Sequence, residues 1–168
     1  MRLLRCPMTT PLGEIILLHD TEHLVALLWG DGLARGMAHL ERHLPPWNEE
    51  TVSTIPDCTD ALESYFNGDV SALAEVRVKP PGTAFQRHVW DTLSTIPPGE
   101  AWSYKALAER VGRPTAQRAV AGANGRNPIP LVIPCHRVIA SDGKLGGFSC
   151  GLHRKIWLLE HEDIPFKP

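Results

Sequence analysis

The chain has 168 residues, of which 43% are hydrophobic and 21% charged, which is typical of an ordinary soluble globular protein with one large or two small domains. No stretch approaches 18 consecutive apolar residues and the N-terminus lacks the apolar core of a secretory signal, so neither a membrane span nor secretion is expected. The four cysteines are widely spaced without a CxxC pattern, which argues against a disulfide scaffold, and we expect a cytoplasmic protein.

The net charge of −2 conceals two halves of opposite sign. Residues 1–82 carry 6 lysines and arginines against 12 acids, a charge of −6, whereas residues 83–168 carry 11 against 7, a charge of +4. Between Arg110 and Ser141 the chain holds five arginines and no acid. Such a stretch suits a polyanion such as a phosphate backbone, although an ordinary solvated face would have the same composition.

The first half of the chain begins with strand-like runs. Three of them are predicted, at residues 3–8, 14–18 and 24–29. A Thr-Pro-Leu-Gly turn separates the first two. A last strand of this half is expected to include Val76 and Val78.

Helices complete this half of the chain. The helical pattern of residues 33–44 stops at a Pro-Pro pair, and Asp57 is placed to cap a second helix that runs to Phe66. A Pro-Pro-Gly break then coincides with the change in charge. The predicted division is an N-terminal α/β domain, a linker and a C-terminal domain, at residues 1–79, 80–84 and 85–168.

The second half opens with three predicted helices. Thr83 and Gln86 have the spacing of a capping box, and apolar residues recur at helical intervals after them. Ser103 can cap the second helix, which stops at Gly112, and the Pro-Thr pair at 114–115 starts the third. Two short helices joined in this way are a helix-turn-helix candidate.

The third helix carries small residues on its surface. Ala119, Ala121, Gly122 and Ala123 would let a backbone approach something closely, and Arg118 projects from the first turn. Tight packing between helices and insertion into a nucleic-acid groove both account for such a face. A final helix is predicted over residues 152–162, with Leu152, Ile156 and Leu159 at core spacing and an acidic end.

Residues 131–139 read Leu-Val-Ile-Pro-Cys-His-Arg-Val-Ile and hold the strongest chemical signal of the chain. The apolar run 131–133 predicts a short buried strand that delivers Cys135 and holds it still. Thiolate is the reactive form of cysteine, and neighbours such as His136 and Arg137 favour it. An inert, buried cysteine is the alternative for this residue.

Six segments between residues 83 and 162 form a dense set: Phe-Gln-Arg-His-Val-Trp at 85–90, Ser-Tyr at 103–104, Arg-Ala-Val at 118–120, Asn-Pro at 127–128, Ile-Pro-Cys-His-Arg-Val at 133–138 and Lys-Ile-Trp-Leu-Leu-Glu-His-Glu at 155–162. With them the chain resembles the methylated-DNA–protein-cysteine methyltransferases, also called O6-alkylguanine-DNA alkyltransferases. The Pro-Cys-His-Arg motif with Asn-Pro upstream is highly specific. Over residues 1–79 the likeness is weak.

The resemblance implies direct-reversal DNA repair. Cys135 would take a methyl or other alkyl group from O6 of guanine in duplex DNA. The thioether formed is stable, so this S-methyltransferase would act once per molecule and consume itself. Transfer from O4 of thymine and the preferred adducts stay open.

The resemblance also implies roles for catalytic residues. His136 would reach Cys135 through a water molecule, because neighbouring side chains diverge along an extended chain, and Glu162 would orient the imidazole. Tyr104 would donate to the ring of the flipped guanine. Asn127 would brace the turn between the DNA-reading helix and the active-site strand.

A substrate pocket follows from the same resemblance. Ser149 would help to bind O6, and the backbone of Val138 and of the reactive cysteine would accept from the exocyclic amine of guanine. Phe148 and Lys155 belong to the same pocket. Phe148 stands where a tyrosine is common, and Cys150 stands where a glycine is common.

On the DNA side, Arg118 would fill the place of a base that has swung out of the duplex. Ala119, Ala123 and Asn124 would lie with it on a helix that enters the minor groove of double-stranded DNA. Asn124 replaces an apolar residue often found at that place. We expect a monomer with no membrane partner, and cooperative binding along DNA stays open.

The fold that the resemblance implies is α+β. A small N-terminal ribonuclease-H-like α/β domain would precede a helical, winged-helix-like C-terminal domain with a helix-turn-helix. Some family members hold zinc in the N-terminal domain, but Cys6, His19 and His23 are too few and too irregular for that site. Neither a metal nor a cofactor is therefore expected.

Two rival functions compete with repair. A DNA-binding module without chemistry, such as a regulator or a lesion binder, lacks the nucleophile that this chain has in Cys135. A thiol hydrolase using Cys135 and His136 would need turnover and an acyl pocket, and nothing else in the sequence indicates one.

Overall fold

The computed structural model describes all 168 residues and divides the chain into two compact units, Met1–Gly82 and Thr83–Pro168. The first unit is a sheet with helices and the second is largely helical, which confirms the expected α+β class. No helix combines the length and the apolar character that crossing a membrane requires. The finer limits of the predicted linker, residues 80–84, stay a prediction.

The sheet of the first unit has four strands. β1 (Arg2–Thr10), β2 (Gly13–His19) and β3 (Leu24–Trp29) form an antiparallel meander, and β4 (Asn48–Thr51) pairs with β1 in parallel. The order across the sheet is therefore β3-β2-β1-β4. The three predicted strands are confirmed, the first two with slightly wider limits and the third with the same limits. The sequence pattern missed β4 because all four of its residues are polar and exposed at the sheet edge.

Two helices belong to this unit, α1 (Leu33–His43) and α2 (Pro56–Phe66). Leu40 of α1 is fully buried in the core with Leu3, Leu18 and Leu28 of the sheet. This contact fixes α1 against one face of the sheet, because burying apolar surface is the main stabilising term in folding.

Two expectations for this unit are wrong. Asp57 does not cap α2, because the helix already begins at Pro56, whose fixed φ suits a first helical position, and Asp57 lies inside the first turn. Val76 and Val78 do not form a strand. The preceding residues Ala72–Glu75 make a 3₁₀ turn, and Val78 forms only an isolated bridge with Leu24.

The second unit contains four helices, which are α3 (Ala84–Leu93), α4 (Tyr104–Val111), α5 (Gln117–Gly125) and α6 (Leu152–His161). The predicted capping box is confirmed, since the Thr83 hydroxyl accepts from the Gln86 N–H and the Gln86 side chain accepts from the Thr83 N–H. Ser103 caps α4, accepting from the Ala106 N–H at 3.0 Å.

The predicted helix-turn-helix is formed by α4, a short turn and α5. Gly112 ends α4 with φ of 83°, a left-handed conformation that glycine adopts without strain. The third predicted helix starts later than residues 114–115, at Gln117, and those two residues stay in the turn. Trp90 of α3 donates its indole N–H to the Ala123 carbonyl at 2.8 Å and so ties α5 to α3.

A pair of two-residue strands joins two distant parts of the second unit. β5 (Trp102–Ser103) pairs in parallel with β6 (Val138–Ile139). Tyr104 follows β5 directly, and Cys135–Arg137 precedes β6 directly. This pairing therefore brings the start of α4 to the cysteine motif.

The predicted strand at residues 131–133 is wrong. The segment is a turn, in which Leu131 has φ of 74° and Leu131 and Ile133 are each 1% exposed. Cys135–Arg137 then forms a single 3₁₀ turn. A short apolar run between turn residues does not distinguish a strand from a buried loop.

The core face of α6 also differs from the predicted one. Leu152 is 48% exposed, whereas Arg154 and Lys155 are buried together with Leu158 and Leu159. Both buried cations donate hydrogen bonds to backbone carbonyl groups, which makes their burial possible. The buried face of α6 is therefore rotated relative to the face that the apolar pattern predicts.

Candidate active site

Asn127 organises the loop that leads to the cysteine. Its side-chain oxygen accepts from the Ile129 N–H at 2.9 Å, and its amide nitrogen donates to the Ile133 carbonyl at 2.8 Å. The Cys135 N–H in turn donates to the Ile133 carbonyl at 2.8 Å. One side chain thus closes both ends of the turn.

Cys135 is the first residue of the 3₁₀ turn and is 3% exposed. Burial, and to a smaller extent the nearby Cys150, raise the pKa of its thiol to about 12 against the lowering effects of Asn127 and Lys155. The resting sulfur is therefore a neutral thiol. The expectation that His136 and Arg137 hold it as a thiolate is wrong, because Arg137 is engaged elsewhere and His136 carries no charge.

Glu162, at the end of α6, binds both residues that follow the cysteine. Its carboxylate contacts Nε2 of His136 in a short hydrogen bond and accepts from Nε of Arg137 at 2.7 Å. Arg137 also donates to the Ile96 carbonyl at 2.7 Å. The side chains of Glu162 and His136 are fully buried, and that of Arg137 is 8% exposed.

Burial and these contacts set the protonation of His136 and Glu162. Burial lowers the pKa of His136 and outweighs the opposing effect of Glu162, so the imidazole is neutral near pH 7. Burial alone would raise the pKa of Glu162, but His136 and Arg137 together lower it to about 2. A neutral imidazole that donates Nε2–H to the carboxylate keeps a lone pair on Nδ1, and this buried nitrogen has no hydrogen-bond partner in the protein.

Lys155 is a completely buried cation beside the cysteine. It donates to the carbonyls of Val138 at 2.6 Å and Gly147 at 3.1 Å, and burial lowers its pKa to about 8. Its ammonium lies 5.9 Å from the ring centres of Tyr104 and Phe148. Lys155 therefore supplies positive charge next to the sulfur and ties β6 to the glycine-rich wall of the pocket.

A cavity of about 350 Å³ opens beside these groups, which is within the size range of small-ligand sites. Its lining residues are Tyr104, Ala121, Asn124, Gly125, Gly147, Phe148 and Ser149. The predicted pocket residues Ser149 and Phe148 thus line it, whereas Val138 and Lys155 are buried and are not among its lining residues. Cys135 is not a lining residue, but Tyr104 lines the cavity and lies within electrostatic range of Cys135.

Tyr104 is positioned by the cap of α4 and faces a close backbone. Its hydroxyl donates to the Gly147 carbonyl over a long 3.4 Å, and burial raises the pKa of the phenol. A Cβ atom at Gly146 would lie 2.8 Å from the tyrosine ring, and Gly146 has φ of 68°. Only glycine fits there, so the loop can close over the phenol.

The residues predicted to meet DNA do not all share one face of α5. Arg118 and Ala119 are exposed on its first turn. Ala123 is 3% exposed and packs inward beside Trp90, so its predicted contact with DNA is not supported by its placement. Asn124 is 5% exposed and lines the cavity instead of the open surface.

Sequence reasoning undervalued two residues of this site. The motif marks Arg137 only as a neighbour of the cysteine, and in the structure it pairs with the Glu162 carboxylate. Lys155 was assigned to the pocket only through the family motif. Lys155 lies three and four residues before the buried Leu158 and Leu159, so it shares their face of the helix. This spacing is the sequence signal that marks it as a buried cation.

Two family models match this chain and together span both of its units. The ribonuclease-like domain of 6-O-methylguanine DNA methyltransferase matches residues 6–80, and the DNA binding domain of the same protein matches residues 84–164. A methylated-DNA–protein-cysteine methyltransferase of Shigella flexneri is 43% identical over 165 residues, which cover 96% of each chain. The chain belongs to the 6-O-methylguanine DNA methyltransferase family.

Members of the family from distant organisms share this similarity. A methylated-DNA–protein-cysteine methyltransferase of Methanosarcina acetivorans is 39% identical over 153 residues, covering 91% of this chain and 94% of its own. A crystal structure of Mycobacterium tuberculosis OGT in complex with DNA superposes with a TM-score of 0.77 at 33% identity, covering 96% of this chain and 95% of that one. Membership in the family confirms the ribonuclease-like N-terminal and DNA-binding C-terminal domains predicted from the sequence.

The buried carboxylate predicts a specific dependence of stability on pH. Glu162→Gln keeps the shape of the side chain but leaves the Arg137 charge without a counterion, so we expect it to lower the free energy of unfolding by about 3 kcal/mol at pH 7. The pKa of Glu162 falls from 4.5 to about 2 on folding, so its stabilisation is present above pH 4.5 and is lost as the pH falls toward 2.

Urea unfolding of wild type and variant between pH 7 and about pH 3 measures this difference, which should shrink below pH 4.5. Glu160→Gln, an exposed carboxylate on the same helix, is the control and should change stability by less than about 0.5 kcal/mol at pH 7. If Glu162→Gln lowers the free energy of unfolding by the same amount at pH 7 and at about pH 3, the low pKa of Glu162 is contradicted.

Proposed function

We propose that this protein repairs alkylated DNA by moving an alkyl group from O6 of guanine onto Cys135. The observation that carries the proposal is the arrangement beside the sulfur. Cys135 is followed by a buried, neutral His136 whose Nε2–H is held by Glu162 and whose Nδ1 is unpaired. A base held in one tautomer next to a buried thiol is what nucleophilic catalysis by cysteine requires.

The first chemical step is removal of the thiol proton. Because burial raises the pKa of Cys135 to about 12, a base must take the proton as the reaction proceeds. A water molecule passes the proton from Sγ to Nδ1 of His136, and the Glu162 carboxylate stabilises the imidazolium that forms. Lys155 offsets the negative charge on the sulfur.

The second step is displacement at the alkyl carbon. The bond between sulfur and carbon forms while the bond between carbon and O6 breaks, and the electron pair of that bond stays with the guanine oxygen. Tyr104 balances this charge by donating its hydroxyl proton toward the purine ring, and its long bond to the Gly147 carbonyl is readily exchanged for that contact. Ser149, on the wall of the cavity, hydrogen-bonds O6.

A guanine inside a duplex cannot reach a buried thiol, so the target nucleotide must leave the stack and enter the cavity. We place α5 in the minor groove, with Arg118 in the space that the base vacates and Ala119 against the backbone. Arginines 110, 113 and 126 are also exposed on this acid-free stretch and are suited to phosphate contacts. The protein acts as a monomer in the cytoplasm.

The nucleophile is tested by Cys135→Ala. This variant should bind duplex DNA containing O6-methylguanine as tightly as wild type but transfer no methyl group, because it lacks the sulfur that attacks the alkyl carbon. Duplex carrying a labelled methyl group measures transfer to protein, and a gel-shift titration measures binding.

Cys150→Ala is the matched control, and this variant should still become labelled, at Cys135. Label that remains on the DNA after incubation with wild type would overturn the proposed function. If the protein becomes labelled in Cys135→Ala but not in Cys150→Ala, the reacting sulfur is that of Cys150 and the assignment to Cys135 is wrong.

If Arg118 occupies the space that the flipped base vacates, its loss should affect two substrates differently. Arg118→Ala should slow transfer from duplex DNA by roughly tenfold or more, since extruding a base costs a few kcal/mol, and should leave transfer from the free base O6-methylguanine nearly unchanged. Single-turnover rates on both substrates measure the ratio. Equal slowing on the two substrates would remove Arg118 from the flipping step.

A further inference from the structure

The proposed mechanism makes no use of the charge of Arg137, although this side chain lies beside the reacting groups. Arg137 is 6% exposed and follows His136 directly in the 3₁₀ turn. Its charge opposes the formation of an imidazolium on His136, because like charges repel. Burying a cation that works against a reaction intermediate is costly, which indicates that the same cation serves the resting state.

Two hydrogen bonds fix the position of the Arg137 guanidinium. Its Nε donates to Oε1 of Glu162 at 2.7 Å, and its Nη1 donates to the Ile96 carbonyl at 2.7 Å. The other carboxylate oxygen, Oε2, bonds Nε2 of His136. One carboxylate thus links the guanidinium to the imidazole, and the guanidinium is itself anchored to the turn after α3.

The charges of these three side chains balance when His136 is neutral. Glu162 carries one negative charge, and Arg137 carries one positive charge because a guanidinium does not lose its proton in proteins. The carboxylate is therefore compensated without a proton on the imidazole. If the guanidinium were absent, the buried carboxylate would lose this counterion, and the imidazole bonded to it is the group placed to take up a proton.

The charges that act on His136 come from α6 and from its own turn. Burial has the largest effect on the pKa of His136 and lowers it, Glu162 at the end of α6 raises it, and Arg137 and Lys155 lower it. Lys155 is no substitute for Arg137, because its ammonium bonds two backbone carbonyl groups and not the carboxylate. The thiol of Cys135, on the other side of the ring in the sequence, is neutral at rest.

A proton on both ring nitrogens of His136 would prevent the first chemical step. Nδ1 accepts the thiol proton only while its lone pair is free, and a doubly protonated ring has no free lone pair. Removing the positive charge of Arg137 raises the pKa of His136, since a like charge that disfavours the imidazolium is gone. The fraction of protein with a usable base then falls at neutral pH and recovers at higher pH.

We propose that Arg137 is a positioning residue that sets the pH range of alkyl transfer, because its pairing with Glu162 keeps His136 unprotonated in the resting protein. In this role it acts on the imidazole through the carboxylate and not through contact with the substrate. The inference rests on the proposed function, in which Nδ1 of His136 receives the thiol proton.

The test is the pH dependence of single-turnover methyl transfer from duplex DNA that contains O6-methylguanine. Arg137→Gln and Arg137→Met both remove the charge, so that failure of one variant to fold leaves the other. Rates are measured between about pH 6.5 and about pH 8.5, on either side of neutrality. In each variant the ratio of the rate at the upper limit to that at the lower limit should exceed the wild-type ratio by roughly tenfold, the usual effect of one neighbouring charge on a protonation equilibrium.

Two further arginine variants are the controls. Arg137→Lys keeps a cation at the same place and should keep the wild-type ratio. Arg154→Gln removes an arginine that is also 6% exposed but lies in the first turn of α6, where it donates to the Cys150 carbonyl. Since Glu162 lies at the opposite end of that helix, this variant should change the rate by the same factor at every pH.

A second readout does not depend on methyl transfer. Long-range ¹H–¹⁵N correlation spectra of protein with labelled histidine report whether the His136 ring carries one proton or two. Near pH 7 the ring should be neutral in wild type and in Arg137→Lys, and largely doubly protonated in Arg137→Gln and Arg137→Met.

Three results overturn the inference. The charge-removing variants can slow transfer by one factor at every pH, Arg154→Gln can move the ratio as far as they do, or His136 can be doubly protonated in the wild type near pH 7. The last result is obtained without any variant. A wild-type protein that accepts no methyl group refutes the proposed function itself, while the spectra still decide the state of His136, so the two failures are distinguishable.

Discussion

The second unit of this protein is organised around a single buried carboxylate. Glu162 accepts from Arg137 and is hydrogen-bonded to His136, and all three groups are almost completely removed from water. A buried charge is tolerated only when it is paired and hydrogen-bonded, so the end of α6 must meet the 3₁₀ turn at Cys135–Arg137. This requirement places the cysteine and fixes the imidazole beside it, and Lys155 on the same helix adds a second tie from α6 to β6.

Burial has opposite consequences for the two partners of the reaction. It raises the pKa of Cys135, which keeps the sulfur as a thiol that reacts slowly with other electrophiles, and it lowers the pKa of His136, which keeps the imidazole able to accept a proton. A protein that uses its nucleophile once gains from a resting state in which that nucleophile is protected. The same low-polarity surroundings strengthen the electrostatic effects of Lys155 and Tyr104 on the reacting atoms.

Much of the fold could be predicted from the sequence wherever local rules govern. The meander of β1 to β3, the capping box at Thr83 and the left-handed stop at Gly112 follow from turn chemistry and periodicity, and the structure agrees. The wrong predictions share a cause, because apolar periodicity reports only the burial of apolar side chains. It does not detect the polar edge strand β4. It also predicts a strand at residues 131–133, which are buried as a loop that Asn127 closes.

The site shows the same limit more sharply. Specific motifs identified Cys135, His136 and Glu162, and the structure brings the last two into contact. The buried face of α6 could not be predicted from periodicity, because it carries Arg154 and Lys155 where the pattern favours leucine, and hydrogen bonds to carbonyl groups make those positions possible.

The tautomer of His136 tests the central claim most directly, because the account requires a neutral ring with its proton on Nε2 and a bare Nδ1. Long-range ¹H–¹⁵N correlation spectra of protein with labelled histidine report the protonation of both ring nitrogens, and His136→Gln assigns the resonances. The account predicts the neutral Nε2–H form throughout the range from about pH 7 to 8. A proton on Nδ1, or a doubly protonated ring at the upper end of that range, would contradict it.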